Sequence, residues 1–239
     1  MSKGIRYDAL LVRALAAELN ERLGDRRIRV LRFSTVERTV TIGLRDETLV
    51  WDLHPDRGWI TIEHRTLRGG GIAMPAGARI GRITAPPDER LVDITIDGED
   101  DNGGHVRRVV IELFGTHRNA IALAAAGTVR AVLRPRPRAE RVLAVTQQYT
   151  PLPPSRRLGT DRPPSLVEWR AVLDVAEDER HAALLSHFAY TSPLNARWLL
   201  AGGDLAAGYD RYVTLVRAES EAWVLAPDST PQPYPARLD

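Results

Sequence analysis

The 239-residue chain carries 33 basic and 31 acidic residues, a net charge of +2, and no cysteine. Without cysteine, disulfides, thiolate chemistry and cysteine-based zinc sites are excluded. No apolar run approaches the ~18 residues that a membrane-spanning helix requires. The charged start MSKGIRYD is also unlike a signal peptide. We therefore expect a cytoplasmic protein without a membrane partner.

The basic residues are almost all arginine, since Lys3 is the only lysine. A GC-rich genome produces such a bias, but the planar guanidinium also binds phosphate bidentately and stacks on bases. The arginines are concentrated in the stretches 24–33, 133–141 and 155–162. This distribution is compatible with a nucleic-acid partner.

The first predicted element is an amphipathic helix over 8–23, where leucines recur at a spacing of four. Asp8 stands at the position of an N-cap and Gly24 at that of a C-cap. After this helix the apolar period changes to two, which predicts β-strands. The predicted strands are RIRVLRF (27–33), RTVTIGL (38–44), TLVWDL (48–53), GWITIEH (58–64), RIGRITA (79–85), ERLVDITID (89–97), HVRRVVIELF (105–114), AIALAAA (120–126) and TVRAVL (128–133).

Two segments interrupt the strands: the glycine-rich stretch 67–78, and the acidic insert 97–104, which is predicted to be an exposed hairpin tip. Beyond residue 165 the apolar period becomes helical. The predicted helices are 165–173, 177–189, 192–202 and 204–220, followed by one strand at 221–227. We therefore expect a β-rich domain at 1–150, a proline-rich linker at 151–164 and a helical domain at 165–239.

The sequence contains no motif of a known catalytic site. The six histidines are scattered, and HExxH, Walker and GxSxG motifs are absent. The glycine run 69–71 lacks the Lys-Ser or Lys-Thr of a phosphate loop and is interpreted as a flexible loop. No general acid–base pair can be defended. We expect a protein that is not an enzyme and that holds neither a metal nor a cofactor.

Two stretches favour binding instead. LRPRPRAER (133–141) places four arginines in a proline-stiffened segment, an arrangement that tracks a phosphate backbone; a solvated connector is the alternative. In IELFGTHRNAIAL (111–123), an apolar run breaks and resumes, which predicts a hairpin with Gly115 and Asn119 as turn formers.

The order of these segments resembles the N-terminal domain of the NFACT family. This family comprises the fibronectin-binding protein A-like proteins and includes the ribosome-associated quality-control factors RqcH and NEMF. The resemblance covers nearly the whole chain, and IELFGTHRNAIAL is similar to the family's Glu-Leu-Met-Gly-Arg-His-Ser-Asn strand–turn–strand motif. The other colinear stretches are YDALLVRALAAELNERLGDRRIRVLRF, ERLVDITI, YTPLPPS, SPLNARWLL and the tail EAWVLAPDSTPQPYPARLD.

The resemblance implies an α+β fold. A leading helix and a mixed, mostly antiparallel β lobe, related to the N-terminal lobe of formamidopyrimidine DNA glycosylases, would precede a small helix–hairpin–helix domain. It also implies binding to tRNA and to the large (50S) ribosomal subunit, in support of alanine tailing of stalled nascent chains. Full-length members continue into a coiled coil and a C-terminal RNA-binding domain. We therefore expect this chain to be a fragment of such a protein, with a shortened protein as the alternative.

The resemblance also implies site residues. The family's tailing residues, an early aspartate and an Asp-Arg pair, correspond to Asp8 and to Glu89 with Arg90, although Asp8 is equally explained as a helix N-cap. The turn 115–119 is either structural or an RNA-facing tip. The predicted RNA-binding residues are Asp8, Glu89, Arg90, His117, Arg118, Arg134, Arg136 and Arg138.

Two departures from the family pattern bear on function. The family's helix with a Leu-Arg-Lys core is replaced by the shorter, glycine-rich LRGGGIAMPAGARI. The glycine before Ser-Pro is replaced by Tyr190-Thr191, which argues against close phosphate approach at this hairpin.

Two alternative functions stay open. One is a fibronectin-binding adhesion protein. The other is a glycosylase-like nucleic-acid-binding domain without activity, since such glycosylases attack with an N-terminal proline followed by glutamate and this chain starts Met1-Ser2-Lys3.

Overall fold

The protein is described by a computed structural model that covers residues 4–99, 103–136, 141–217, 223–225 and 232–238. The chain forms two compact units. Unit 1 comprises Met1–Tyr7, Leu15–Pro86 and Arg90–Leu152, and unit 2 comprises Asp8–Ala14, Pro87–Glu89 and Pro153–Asp239. Both units are therefore assembled from segments that are separated in sequence.

Five helices and eleven strands lie in the described residues. The helices are α1 (Ala9–Leu23), α2 (Leu166–Leu173), α3 (Arg180–His187), α4 (Ala196–Leu199) and α5 (Leu205–Arg217). The strands are β1 (Val30–Ser34), β2 (Thr39–Gly43), β3 (Thr48–Asp52), β4 (Ile60–Glu63), β5 (Ala76–Thr84), β6 (Leu91–Glu99), β7 (Arg108–Glu112), β8 (Asn119–Leu123), β9 (Val129–Val132), β10 (Trp223–Leu225) and β11 (Gln232–Tyr234).

Unit 1 contains two antiparallel sheets in which the strands follow chain order. One sheet has the order β1-β2-β3-β4 and the other β5-β6-β7-β8-β9. Each connection is a hairpin, as expected when successive period-two segments are separated by short turns. The register between β5 and β6 shifts twice, between Ala76 and Arg79 and between Ile80 and Ile83. Such irregularities increase the local twist of a sheet.

The core of unit 1 follows from strands that are apolar on both faces. β3 and β8 are buried along their whole length, whereas β5 and β6 alternate between buried and exposed positions. One buried cluster of the five-stranded sheet comprises Leu91, Val110, Ile121, Leu123, Val129, Val132, Leu143 and Tyr149. The fold thus fixes the turn between β7 and β8 at the end of two well-buried strands.

Unit 2 is mainly helical and has its own aromatic core. Trp169 is fully buried and lies 4.6 Å from Phe188 and 5.1 Å from Tyr212, measured between ring centroids. Helix α2 begins with a capping box. The Ser165 hydroxyl oxygen accepts from the Glu168 amide, and the Glu168 carboxylate accepts from the Ser165 amide. The short strands β10 and β11 form an antiparallel ribbon.

The α+β class predicted from the sequence is confirmed, and so is the helix cap: the Leu11 amide donates to Asp8 Oδ1 at 2.9 Å. The single strand predicted at 221–227 is instead one half of a ribbon. Its partner β11 contains Pro233, which the period-two pattern does not favour but which an edge strand tolerates. The acidic tip 97–104 lies partly outside the described residues.

The segment predicted as a linker is partly packed. Leu158 donates its amide to His187 O, and the Ala189 amide donates to Leu158 O, so this stretch joins unit 2. The predicted helix 192–202 is reduced to α4, preceded by a turn at 193–195. No helix among the described residues combines the length and apolar character needed to cross a membrane.

Candidate nucleic-acid interface

The turn between β7 and β8 places two adjacent basic residues in opposite environments. The strands pair from Arg108 with Leu123 to Glu112 with Asn119. The His117 amide then closes the turn on Phe114 O at 2.8 Å. His117 is exposed, whereas Arg118 is only 5% exposed. His117 therefore lies at the surface, as a solvent-facing tip requires, whereas Arg118 does not.

Arg118 stabilises the interior of unit 1. Its guanidinium donates to Ile5 O at 2.6 Å and to His54 O at 3.1 Å, and lies 5.0 Å from the centre of the Tyr7 ring. Burial lowers the pKa of Arg118, while the nearby Tyr7 and Asp52 oppose that shift. Its Nε has no hydrogen-bond acceptor among the described residues. The side chain thus holds backbone segments together and does not project toward a partner.

Asn119 positions the first arginine of the basic segment. Its side-chain oxygen accepts from the Arg134 amide at 2.8 Å, and its side-chain nitrogen donates to Arg134 O at 3.0 Å. Asn119 is thus the first residue of β8 and a side-chain clamp, not the turn former that the sequence predicts. The Arg134 guanidinium in turn donates to Thr116 O at 3.2 Å. Turn and basic segment therefore form one local structure.

Three guanidinium groups form what we call the arginine cluster: Arg38, Arg134 and Arg136. Burial and the positive charges of Arg38 and Arg136 lower the pKa of Arg134. Arg38 lies in the turn between β1 and β2, and its carbonyl accepts from the Leu53 amide at 2.8 Å. No carboxylate of the described residues forms an ion pair with any of the three. Mutually repelling cations without a counter-ion are suited to an anionic ligand.

Arg141, the last arginine of this segment, is neutralised within unit 1. Arg141 donates to Glu112 Oε1 at 2.5 Å, and the Tyr149 hydroxyl donates to the same oxygen at 3.1 Å. Arg141 also lies 4.9 Å from the centre of the Tyr149 ring. Arg141 is therefore a structural residue, in contrast to the arginine cluster. Arg138 lies outside the described residues.

Asp8 is buried in unit 2 and serves as more than a helix cap. Its Oδ2 accepts from the Ser192 hydroxyl at 2.7 Å and from the Tyr234 hydroxyl at 2.8 Å. The Asn195 side chain donates to the same Tyr234 oxygen at 2.9 Å. Burial raises the pKa of Asp8, although its hydrogen bonds oppose the shift. Its oxygens are thus occupied by donors of the protein itself.

The acidic residues around Glu89 are also satisfied within unit 2. Glu89 Oε1 accepts from the Ser155 amide at 2.7 Å. The preceding Asp88 has a fully buried side chain and binds Arg157 through two bonds, of 2.5 and 2.7 Å. Asp88 also accepts from the Ser155 hydroxyl and, at 2.7 Å, from the Tyr190 amide. We call Asp8, Asp88 and Glu89 the unit 2 carboxylates.

Tyr190 occupies the position where the family pattern has a glycine. It adopts a φ of 62°, in the left-handed region that favours glycine. Its amide is used by Asp88, and its buried ring packs against the Arg13 guanidinium at 4.7 Å. This backbone amide is therefore not available to an external phosphate. The helix–hairpin–helix character of unit 2 stays a prediction.

Arg90 differs from its neighbour Glu89. It belongs to unit 1 and is exposed, with its guanidinium 5.5 Å from the centre of the Phe114 ring. Of the predicted RNA-binding residues that the structure describes, Arg90 and His117 are exposed and Arg134 and Arg136 half-buried. Asp8 and Arg118 are buried, and Glu89 bonds internally.

The sequence analysis missed Arg38, Asp88 and Arg157. Arg38 stands in the turn between β1 and β2, and Arg134 follows β9 of the other sheet, so no sequence pattern links the two arginines. Asp88 lies one residue before Glu89, to which the family motif corresponds, so the resemblance does not point to it. The basic stretch 155–162 did signal Arg157, but as part of a linker. Among the described residues, no group of three or more His, Asp or Glu side chains forms a metal site.

The fold is that of the N-terminal domains of proteins named for fibrinogen and fibronectin binding. The crystal structure of the fibrinogen binding protein from Staphylococcus aureus superposes with a TM-score of 0.76 at 16% identity, covering 98% of this chain and 91% of that one. The fibronectin/fibrinogen-binding protein from Streptococcus suis gives 0.73 at 16% identity, covering 97% and 90%. PavA from Streptococcus pneumoniae gives 0.64 at 18% identity, covering 92% of each chain.

At these identities the structural likeness establishes the fold alone. The family model described as NFACT N-terminal and middle domains matches residues 74–223, which is more than half of the sequence. This chain therefore belongs to the NFACT family, as its motifs indicated. No curated protein matches the sequence.

Proposed function

We propose that this chain is the RNA-binding module of a ribosome-associated quality-control factor, with tRNA and the large ribosomal subunit as its partners. The observation that carries the proposal is the arginine cluster, in which the charges of Arg38 and Arg136 act on Arg134 and no described carboxylate forms an ion pair with any of the three. Family membership supports the same assignment. The proposal includes a cytoplasmic location and no catalytic activity.

Repulsion among the unpaired arginines of the cluster raises the free energy of the folded protein. Like charges held near each other destabilise a folded protein, and partial burial strengthens their repulsion because it reduces screening. A phosphate group would relieve this repulsion and accept two parallel bonds from one guanidinium. The Asn119 clamp and the Thr116 carbonyl fix Arg134 before any ligand binds, which reduces the entropy lost on binding.

Exposed residues extend this surface in the proposal. His117 precedes the Arg118 anchor in the turn that holds Arg134, and Arg90 presents an exposed guanidinium stacked on Phe114. Of the three residues that the family resemblance associates with alanine tailing, Arg90 alone is exposed. Within the proposal, tailing of stalled nascent chains is the process that the module supports, and Arg90 is the residue that contacts tRNA.

The test measures tRNA binding by fluorescence anisotropy at a series of salt concentrations. Each phosphate contact contributes about 0.7–0.9 to the slope of log affinity against log salt. The triple variant R38Q/R134Q/R136Q should therefore bind more weakly and lose about 2–3 from that slope. The matched control R45Q/R82Q/R170Q removes three exposed arginines outside the cluster. We expect the control to retain most of the affinity.

The outcomes separate the candidate functions. Equal losses in both triple variants would mean that net charge alone drives binding, which would contradict the proposed site. Binding to immobilised fibronectin without binding to tRNA or large subunits would instead support the adhesion function after which the structural neighbours are named. A covalent adduct trapped by borohydride on damaged DNA would indicate glycosylase chemistry, which we do not expect.

A further inference from the structure

A second basic site lies in unit 1, at the glycine-rich loop that replaces the family's Leu-Arg-Lys helix. A cleft of about 230 Å³ is lined by Arg27, Ile28, Arg29, Val30, Gly69, Gly71, Ile72, Met74, Pro75, Gly77 and Ala78. None of these residues is acidic. The loop was interpreted from sequence as flexible, but its contacts give it a defined shape and a defined polarity.

Two arginines provide the positive charge of this cleft. Arg27 and Arg29 are exposed, whereas the intervening Ile28 and the following Val30 are buried. Because side chains two residues apart in an extended segment lie on the same side, both guanidinium groups belong to one face. Neither side chain forms a hydrogen bond or ion pair with the residues that the structure describes. The cleft thus has two cations without internal partners.

Arg32 orients the glycine loop. Its guanidinium donates to Gly70 O at 3.0 Å and to Arg68 O at 3.2 Å. In a trans peptide the N–H points opposite to the C=O of the same peptide unit. The amides of Gly71 and Gly69, which follow these two carbonyls, are therefore directed away from Arg32. Gly69 and Gly71 line the cleft, whereas Gly70 does not.

The loop geometry requires a glycine at position 71. A Cβ atom at Gly71 would lie 2.5 Å from Leu31 O and 2.6 Å from a methyl carbon of Val30. The loop therefore packs directly against β1, and the Ile72 amide fixes it by donating to Leu31 O at 2.8 Å. Gly69 and Gly71 thus line the same cleft as the two arginines. Successive backbone amides combined with cations are the elements of an anion site.

We propose that this cleft binds a phosphate group, held by Arg27, Arg29 and the amides of Gly69 and Gly71. Its volume is below the ~300–1,000 Å³ of pockets for drug-sized ligands, so the site fits a compact oxyanion and not a whole nucleotide. This phosphate is either part of an RNA backbone or a free inorganic anion. The inference is independent of tRNA binding at the arginine cluster, since it uses other residues.

The experiment is a ¹⁵N-resolved NMR titration of the full chain with inorganic phosphate, with chloride used to keep the ionic strength constant. We expect saturable shifts of the Gly69 and Gly71 amides, while the exposed Gly103 amide follows only the bulk solution. The variant R27Q/R29Q should weaken this binding roughly tenfold or more, because it removes both charged donors. The variant R45Q/R82Q is the control with the same change in net charge.

A second titration uses a short single-stranded RNA in place of phosphate. Shifts of Gly69 and Gly71 by both probes would assign the site to an RNA phosphate, and shifts by inorganic phosphate alone would assign it to a free anion. Shifts that do not saturate, or that are the same in R27Q/R29Q and in wild type, would overturn the proposal. Unchanged dispersion of the other amides verifies that each variant is folded. Loss of tRNA binding in R38Q/R134Q/R136Q leaves the phosphate titration unaffected, so the two proposals fail separately.

Discussion

The unit 2 carboxylates and the unit 1 arginine cluster differ in how their charges are compensated. Asp8, Asp88 and Glu89 accept hydrogen bonds from hydroxyls, amides or a guanidinium of their own unit. Arg38 and Arg134 instead lie close enough to repel each other, and no described carboxylate pairs with them. The residues with unsatisfied charge are the better candidates for binding, whatever the family pattern emphasises.

This difference separates the roles of Asp8, Glu89 and Arg90, the three residues that correspond to the family's tailing residues. An aspartate whose oxygens already accept from Ser192 and Tyr234 gains little by contacting RNA, because it would have to give up those bonds. Asp8 and Glu89 are therefore explained by the stability of unit 2. Arg90 keeps its exposure and remains the family residue best placed to contact a ligand.

The largest effect on stability is expected when the hydrogen bonds of a unit 2 carboxylate are broken. Asp88→Asn keeps the side-chain shape and tolerates the φ of 58° at this position, but it places an amide donor against Arg157. We expect a loss of about 3–5 kcal/mol in the free energy of unfolding, as for other buried pairs that lose one partner. Urea denaturation measures this value. Asp46→Ala, which removes an exposed partner of Arg26, should cost less than about 1 kcal/mol.

A second prediction separates two neighbours in the turn of unit 1. Arg118→Ala should destabilise the protein by about 2–4 kcal/mol, because it removes a buried guanidinium and its two charge-assisted bonds to backbone carbonyls. His117→Ala should leave stability within about 0.5 kcal/mol and weaken tRNA binding. Thermal unfolding and anisotropy, measured on both variants, test this division. Similar stability for the two variants would mean that Arg118 does not anchor the turn.

The fold could be predicted largely from the apolar period. Each of the nine period-two segments overlaps one of the strands β1 to β9, with ends that differ by a few residues, because strands buried on at least one face must carry apolar residues at regular positions. The ribbon partner β11 could not be predicted, since Pro233 is acceptable only at an edge. The packing of 155–160 into unit 2 was hidden because proline and arginine content is typical of connectors.

The candidate site could be predicted only where its residues are close in sequence. Arg134 and Arg136 stand out in a basic stretch, and His117 in a turn. Arg38 joins them from the turn between β1 and β2, which belongs to the other sheet, and no local signal distinguishes it from other arginines. The burial of Arg118 was equally invisible, because it depends on carbonyls of Ile5 and His54 from distant segments.

A third prediction concerns the pH dependence that Asp8 confers on unit 2. Burial raises its pKa in the folded state above the ordinary value of 3.8, so the unfolded chain releases this proton at a lower pH than the folded one. Its contribution to stability is fully present below pH 3.8 and is lost as the pH rises through the folded pKa.

Each unit of pKa difference corresponds to about 1.4 kcal/mol. Asn is also a good N-cap, so Asp8→Asn should retain α1 and remove this dependence. Urea denaturation between about pH 4 and 8 should show wild type losing stability relative to the variant as the pH rises. Parallel curves would mean that Asp8 has the same pKa in both states.

The smallest effect on stability is expected when one charge of the arginine cluster is removed. If Arg38 repels Arg134 and Arg136, Arg38→Gln should raise the free energy of unfolding by a few tenths of a kcal/mol at low salt. Both residues carry a Cβ, so the strain of the φ of 57° at this position is unchanged. The gain should vanish near 1 M salt, where the Debye length is about 3 Å. The same variant should bind tRNA more weakly, so stability and affinity change in opposite directions. The control Arg45→Gln, at an exposed position outside the cluster, should change neither stability nor affinity. A loss of stability in Arg38→Gln at low salt would show that Arg38 has a stabilising partner. The three arginines would then not repel one another.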